Sequence, residues 1–466
     1  MHSIESDVLM ILPDDFRLMA ASRAIDAGDW RQILAPQDIH LLPLYRLVRL
    51  PFDRRFPYWQ QAFHAVVVAA HLAAAALLYL LARRYLSSVP GALATALLFV
   101  CARAGDEALL WKAASPFVFS WTFLLLAVWC LTRSGTRWTL AAFASLGCAL
   151  GFSSGSLLVL PGLLAAVILL EPDSRRRALV VCGGAALAGA LVWLALVPPQ
   201  ISLAHYWQAG EPGAASFPAR LLDTVLITGR ACAYQLGFDL RLVPERYMPL
   251  LLPAPVLALL WQRRRIRWPW ISAAVLLTAP ALFLILLIRR APGIWTISRY
   301  GYQSYTVWAV TAGALLAAVL AQLGPRPRPR AVLLAVAALM AGVYVQQQLY
   351  AARHHSAYLS GHPSTRPSFW DNWSRFFRLA SDHRLQIRAP LPLPSIEVHP
   401  GLDLQTLYLA CHPRGLPGLH VNLGHAGSPA DQHQFWEEVD RARPLLPGFT
   451  PTGRPAPAHD HQHDHR

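Results

Sequence analysis

The chain has 466 residues, of which 55% are hydrophobic and 14% charged, with a formal net charge of +15. Soluble domains carry about 25% charged residues, so this composition excludes an ordinary water-soluble enzyme and describes a membrane protein. The positive charge is no nucleic-acid footprint, because the arginines stand in short clusters between apolar runs, which is the pattern of membrane topology.

Residues 1–60 do not read as a span. MHSIESDVLMILP is too short for a secretory signal and carries acids where one needs positive charge. LPDDFRL then places Asp14 and Asp15 side by side. Before FRLMAASRAI the pair reads as a helix start, with an aspartate as N-cap and acids favoured by the dipole. Its functional reading is a carboxylate at the outer membrane edge, acting as general base on an acceptor hydroxyl. ASRAIDAGDWRQIL and IHLLPLYRLVRL mix apolar and charged positions at helical spacing, interrupted by Pro36, Pro43 and Pro51. That pattern predicts helices lying on the outer surface. In the second of them His40 and Tyr45 accompany Arg46 and Arg49, which are three residues apart. Guanidinium forks at a membrane surface suit phosphate, and they equally snorkel to lipid headgroups.

Ten apolar runs predict transmembrane helices at 61–81, 89–102, 115–132, 138–150, 155–170, 178–197, 246–262, 268–289, 302–322 and 331–350. Several are short for a bilayer core about 30 Å thick, and those are expected to be kinked or buried against neighbours. The stretch 220–240 is interrupted by Gly, Arg and Asp and is read as interfacial or re-entrant. Arginine clusters at 83–84, 133–137, 175–177, 263–265 and 326–330 recur after every second span. They therefore share one face, which the positive-inside bias makes cytoplasmic. The segments 1–60, 103–114, 198–245, 290–301 and 351–466 then face outward.

Within this frame several residues are candidates for chemistry. His64 and His71 are seven apart in the first span and share a helical face. Ionisable groups inside a span default to a functional or packing role, and the spacing does not suit a single metal. Loop 103–114 holds Asp106, Glu107, Trp111 and Lys112, the last being the one lysine in the sequence. Arg299, flanked by Tyr300 and Tyr302, stands directly before the span 302–322. An outward Arg among interfacial aromatics suits a lipid phosphate, and it also suits anchoring in the aromatic belt.

Residues 351–452 change character to polar, His- and Pro-rich sequence with short strand-like runs, read as a small extracytoplasmic α/β domain. The tail 453–466, ending HDHQHDHR, is low-complexity and a candidate ligand set for a divalent metal. Five of the six cysteines lie in or beside apolar runs, and no disulfide framework is implied.

DDF, HLLPLYRL, PYWQQAFHAVVVAAHLAAAALLYLL, DEALLW, GFSSGSLLVLPGLLA and SRYGYQS follow one another in that order over residues 12–320. The set resembles the GT-C superfamily of polytopic glycosyltransferases, in particular bacterial relatives of protein O-mannosyltransferases. The resemblance implies an all-α polytopic membrane fold with about ten transmembrane helices, placed in a bacterial inner membrane. It implies a transferase that moves a sugar from a polyprenyl-phosphate donor to an extracytoplasmic glycan or protein acceptor, with inversion. By the same resemblance Asp14 or Asp15 is the base, Arg46, Arg299 and Tyr300 bind the donor phosphate, and His40, Asp106 and Glu107 line the acceptor cleft. His64 and His71 are intramembrane structural residues, and no metal is assigned to the site. Two departures stand out. In the family a transmembrane helix precedes the acidic pair, whereas 13 residues precede Asp14 here. GFSSGS also has Gly155 and Ser156 where relatives often have Lys and Glu. The alternative reading is a non-catalytic GT-C-like protein that binds polyprenyl lipid or acts as an assembly partner.

Overall fold

The computed structural model describes residues 13–37, 40–54, 60–101, 108–109, 112–197, 261–262, 264–289, 298–324 and 326–339, with isolated helical positions at 342, 346, 374 and 378. The stretch 220–240, most of the run 246–262, the expected domain at 351–452 and the tail lie outside the described residues apart from those positions. Among the described residues the structure is helical, with one isolated bridge between Gln37 and His40 and no strand.

Two helices come first, α1 (Pro13–Asp26) and α2 (Pro43–Asp53), separated by a 3-10 turn at Trp30–Ile33. The bundle follows as α3 (Gln60–Leu86), α4 (Val89–Val100), α5 (Pro116–Leu131), α6 (Thr136–Phe152) and α7 (Leu160–Leu170). It continues as α8 (Arg175–Leu196), α9 (Trp268–Arg289) and α10 (Ser298–Gln322), with a further helical stretch at 327–339. Local sequence sets the starts. Ser88 caps α4 by accepting the Gly91 N–H at 3.2 Å, and Pro116 opens α5, where its missing N–H costs nothing.

Among the described residues four stretches are long and apolar enough to cross a membrane: Ala62–Leu86, Lys112–Leu131, Pro172–Leu196 and Tyr302–Gln322. Val89–Val100, Ser154–Leu170 and Trp268–Ala279 are shorter apolar helices. Helix α4, with 12 residues, is about 18 Å long and stops short of a full crossing. It survives because it packs between α3 and α10. The run expected at 155–170 begins as a 3-10 turn, Ser154–Val159, and becomes α-helix only at Leu160.

Helix α5 is the centre, packed on α3 and α6; 72% of its apolar stretch is buried, against 17% for the stretch containing α8. Helix α8 instead turns Leu179, Val180, Leu187, Leu191, Val192 and Leu194 outward, a face suited to lipid. Two crossings need glycine. A Cβ on Gly91 would lie 2.7 Å from the Gly313 carbonyl where α4 meets α10. A Cβ on Gly162 would collide with the Leu276 carbonyl where α7 meets α9. Small residues let helix backbones approach closely in a membrane, where lipid supplies no hydrophobic drive between helices. Gly162→Val is therefore expected to cost about 1–3 kcal/mol, read as a lowered melting temperature in detergent. Gly147→Val, at a position with open space, is the control that leaves it unchanged.

The arginine-rich ends of the helices meet. Arg84 at the end of α3 pairs with Glu171 after α7 at 2.7 Å, and Tyr85 donates to the same carboxylate at 2.9 Å. Tyr85 also stacks on Trp270 at the start of α9. Arg177 of α8 donates to the last carbonyl of α5, at Leu131. Gln262 before α9 bonds Gln322 at the end of α10 at 2.9 Å. Helices α8 and α9 both start from this end.

Candidate functional site

At the opposite end of the bundle, α1 and α2 lie across the helix termini. The backbone of Leu41 exchanges bonds with Ser154, donating to its Oγ at 3.0 Å and accepting from its N–H at 3.1 Å. Ser154 stands between α6 and α7, and α2 packs on both α3 and α6.

Asp14 and Asp15 lie within α1, whose described part runs from Pro13.

Helix α2 buries Tyr45, Arg46, Arg49, Leu50 and Asp53, which recur every three to four residues and so form one stripe. Three of the five ionise at ordinary pH, and they are handled differently. Arg49 and Asp53, each 1% exposed, form an ion pair at 2.9 Å, and Ser22 of α1 donates to Asp53 Oδ2 at 2.7 Å. Arg54 pairs with Asp26 at the surface beside them. These contacts clasp α1 to α2. Arg46 is only 4% exposed. It donates to the Gln32 carbonyl of the 3-10 turn, while its Nε is buried with no hydrogen-bond partner and no acid pairs with it among the described residues. Desolvation lowers its pKa to about 10.

Tyr45 donates from its hydroxyl to the Lys112 carbonyl, which ties α2 to the start of the α5 stretch. Lys112 is 3% exposed, in a 3-10 turn at Lys112–Ala114, with its ammonium 5.9 Å from the Phe63 ring centroid. The sequence reading placed it in a charged loop; that it is the one lysine among 41 basic residues was the available signal. Ser156 stands where relatives often carry a charge. It is buried, and its Oγ donates to the Ala149 carbonyl at 3.2 Å, so here the position closes the end of α6.

His64 and His71 are both 2% exposed. His71 Nε2 lies 3.2 Å from the Val100 carbonyl, and its Nδ1 lies 2.9 Å from the Tyr302 hydroxyl. His40 is half-buried beside α2 and bridges to Gln37 through its backbone. Arg299 and Tyr300 stand in the first turn of α10, before Tyr302. Asp106 and Glu107 lie outside the described residues, as do the side chains of Asp14, Asp15, Arg299 and Tyr300. Among the described residues no cluster of three His, Cys, Asp or Glu could hold a metal, and the His-rich tail lies outside them. Cys101, Cys130, Cys148 and Cys182 are free thiols.

Buried ionisable stripes over a bundle whose arginine ends converge elsewhere define a multi-pass membrane protein with a polar site at one end. The fold is similar to that of ArnT from Cupriavidus metallidurans in its crystal structure bound to undecaprenyl phosphate. The TM-score is 0.51 at 17% identity, covering 89% of this chain and 87% of that one. The apo structure of the same protein aligns with a TM-score of 0.46 over the same shares. What this likeness shows is a shared fold. No protein-family description and no curated protein matches the sequence.

Proposed function

We propose that this chain is an integral membrane glycosyltransferase of the bacterial inner membrane. It moves a sugar from a polyprenyl-phosphate donor to an extracytoplasmic glycan or protein hydroxyl. The observation that carries this reading is Arg46: a buried guanidinium with no carboxylate partner among the described residues, at the end of the bundle away from the arginine clusters. A buried cation of this kind is tolerated where an anion arrives to meet it. The similar fold of ArnT, crystallised with undecaprenyl phosphate, supports a polyprenyl phosphate as that anion.

In the proposed reaction Asp14 or Asp15 takes the proton from the acceptor hydroxyl as its oxygen attacks the anomeric carbon. The sugar–phosphate C–O bond breaks on the opposite face, and polyprenyl phosphate leaves with the electron pair. Attack opposite the leaving group inverts the anomeric centre. Arg46, Arg299 and Tyr300 hold the phosphate and offset the charge it gains. His40, Asp106 and Glu107 line the acceptor side. The positive-inside bias places the arginine end in the cytoplasm and the site, with the C-terminal domain, outside.

Asp14→Asn and Asp15→Asn in combination are expected to lower transfer by about 100- to 10,000-fold in proteoliposomes given a radiolabelled polyprenyl-phosphate sugar. Undecaprenyl-phosphate binding should persist. Full activity in the double variant would remove the base assignment.

The second reading, a GT-C-like scaffold that binds polyprenyl lipid without turnover, draws on one observation. Gly155 and Ser156 replace a charged pair, and Ser156 is occupied with closing α6. Lipid-phosphate binding with no sugar release from any donor would favour it.

A further inference from the structure

We infer that His71 is a positioning residue of the proposed site, setting the start of α10 and the end of α4 against each other across α3. The inference rests on the glycosyltransferase reading for its functional meaning and on geometry for its substance.

Helix α4 ends at Val100, and the carbonyls of its last turn have no partner within the helix. Such groups must be satisfied by protein. The Val100 carbonyl is met by His71 Nε2 at 3.2 Å. A carbonyl only accepts, so Nε2 carries the proton. Neutral imidazole then leaves Nδ1 as an acceptor, and the Tyr302 hydroxyl donates to it at 2.9 Å. The result is one directed relay, from Tyr302 O–H to Nδ1 and from Nε2–H to Val100. Phe99 locks the ring from the side, with centroids 5.2 Å from His71 and 5.5 Å from Tyr302. The imidazole is 2% exposed and Tyr302 is also 2% exposed, so neither bond is contested by solvent.

What the relay joins gives it a role. Tyr302 follows Arg299 and Tyr300 by three and two residues, and Val100 precedes Asp106 and Glu107 by six and seven. The first pair belongs to the proposed donor-phosphate contacts and the second to the proposed acceptor cleft. One buried side chain on a third helix thereby holds the end of α4 to Tyr302 of α10, the described elements next in sequence to those residues. Catalytic geometry tolerates little error, so loosening this joint moves substrate affinity before it moves the fold.

Hydrogen–deuterium exchange of the full chain in nanodiscs tests this, with Tyr302→Phe as the mild variant and His71→Leu as the severe one. Tyr302→Phe keeps the ring packing and removes one bond. Exchange is expected to rise about tenfold, one net hydrogen bond, in peptides covering Val100–Leu109 and Ser298–Thr306, with α5 and α6 unchanged. In transfer assays KM for the lipid donor rises about tenfold with kcat within about twofold. His71→Gln, which keeps a donor near Val100, matches Tyr302→Phe, and the double variant is no worse than either single. Unchanged exchange in both segments overturns the inference, and so do raised exchange with wild-type KM and a parallel fall of kcat with folded protein. If the wild type neither binds undecaprenyl phosphate nor transfers sugar while the exchange change is present, the functional reading falls and the joint stands.

Discussion

Replacing Arg46 with methionine is expected to weaken undecaprenyl-phosphate binding by at least about 30-fold while leaving the melting temperature of the ligand-free protein unchanged or slightly higher. Truncating one side of a buried charged hydrogen-bonded contact costs about 2–5 kcal/mol, which sets the binding loss. The fold gains because burial holds the Arg46 pKa at about 10, well below the ordinary range of an arginine. At about 1.4 kcal/mol for each pKa unit, that burial costs the ligand-free protein on the order of 3 kcal/mol. Methionine fills similar space without charge and gives up the bond to the Gln32 carbonyl, worth about 1 kcal/mol. Arg46→Lys keeps a charge and loses the fork, so intermediate binding is expected. The pH sign follows from the depressed pKa. The unfolded chain binds the proton more tightly, so the penalty is full below about 10 and fades as pH rises above it. Phosphate binding runs the other way, falling as Arg46 deprotonates through about 10. A large loss of folded protein in Arg46→Met, with residual binding unchanged, would make Arg46 a structural residue.

Asp53→Ala is expected to do the reverse, with the largest stability loss of any single substitution in α1 and α2. It leaves Arg49, 1% exposed, without its carboxylate and takes the acceptor from Ser22. Breaking a buried pair from one side costs about 3–5 kcal/mol, whereas replacing both partners with apolar residues of similar volume is often neutral. Thermal unfolding and limited proteolysis should therefore show a severe defect in Asp53→Ala and substantial recovery in Arg49→Leu/Asp53→Leu. Equal defects in the single and the double variant would remove the ion pair as the clasp between α1 and α2.

The two arginines mark where the sequence stops being informative. Arg46 and Arg49 share a stripe, and each reads as a phosphate ligand or as a snorkelling headgroup contact. Asp53 at i+4 from Arg49 was in plain view, but an i,i+4 pair on a surface helix says little until both members are buried. Their separation comes from Ser22, 31 residues away, and from the 3-10 turn that covers Arg46, neither of which leaves a periodic signal. The arginine clusters were legible for the opposite reason. Each follows an apolar run, and spans alternate direction, so their convergence is a counting argument. The contacts of Arg84 with Glu171 and of Arg177 with Leu131 realise it. His71 was visible as an oddity inside a span, but its partner Tyr302 lies 231 residues away, and long-range pairing of single side chains has no sequence period. Helix α4 read as a full span because hydropathy counts apolar residues.

Sugar transfer itself is the most direct test of the whole account. The full chain, purified and reconstituted with undecaprenyl-phosphate-linked sugars and an outward-facing hydroxyl acceptor, should release undecaprenyl phosphate and form a glycoside of inverted configuration. Release should depend on Asp14 or Asp15 and on Arg46. Tight binding of undecaprenyl phosphate with no release from any donor would contradict the account and leave a lipid-binding scaffold in its place.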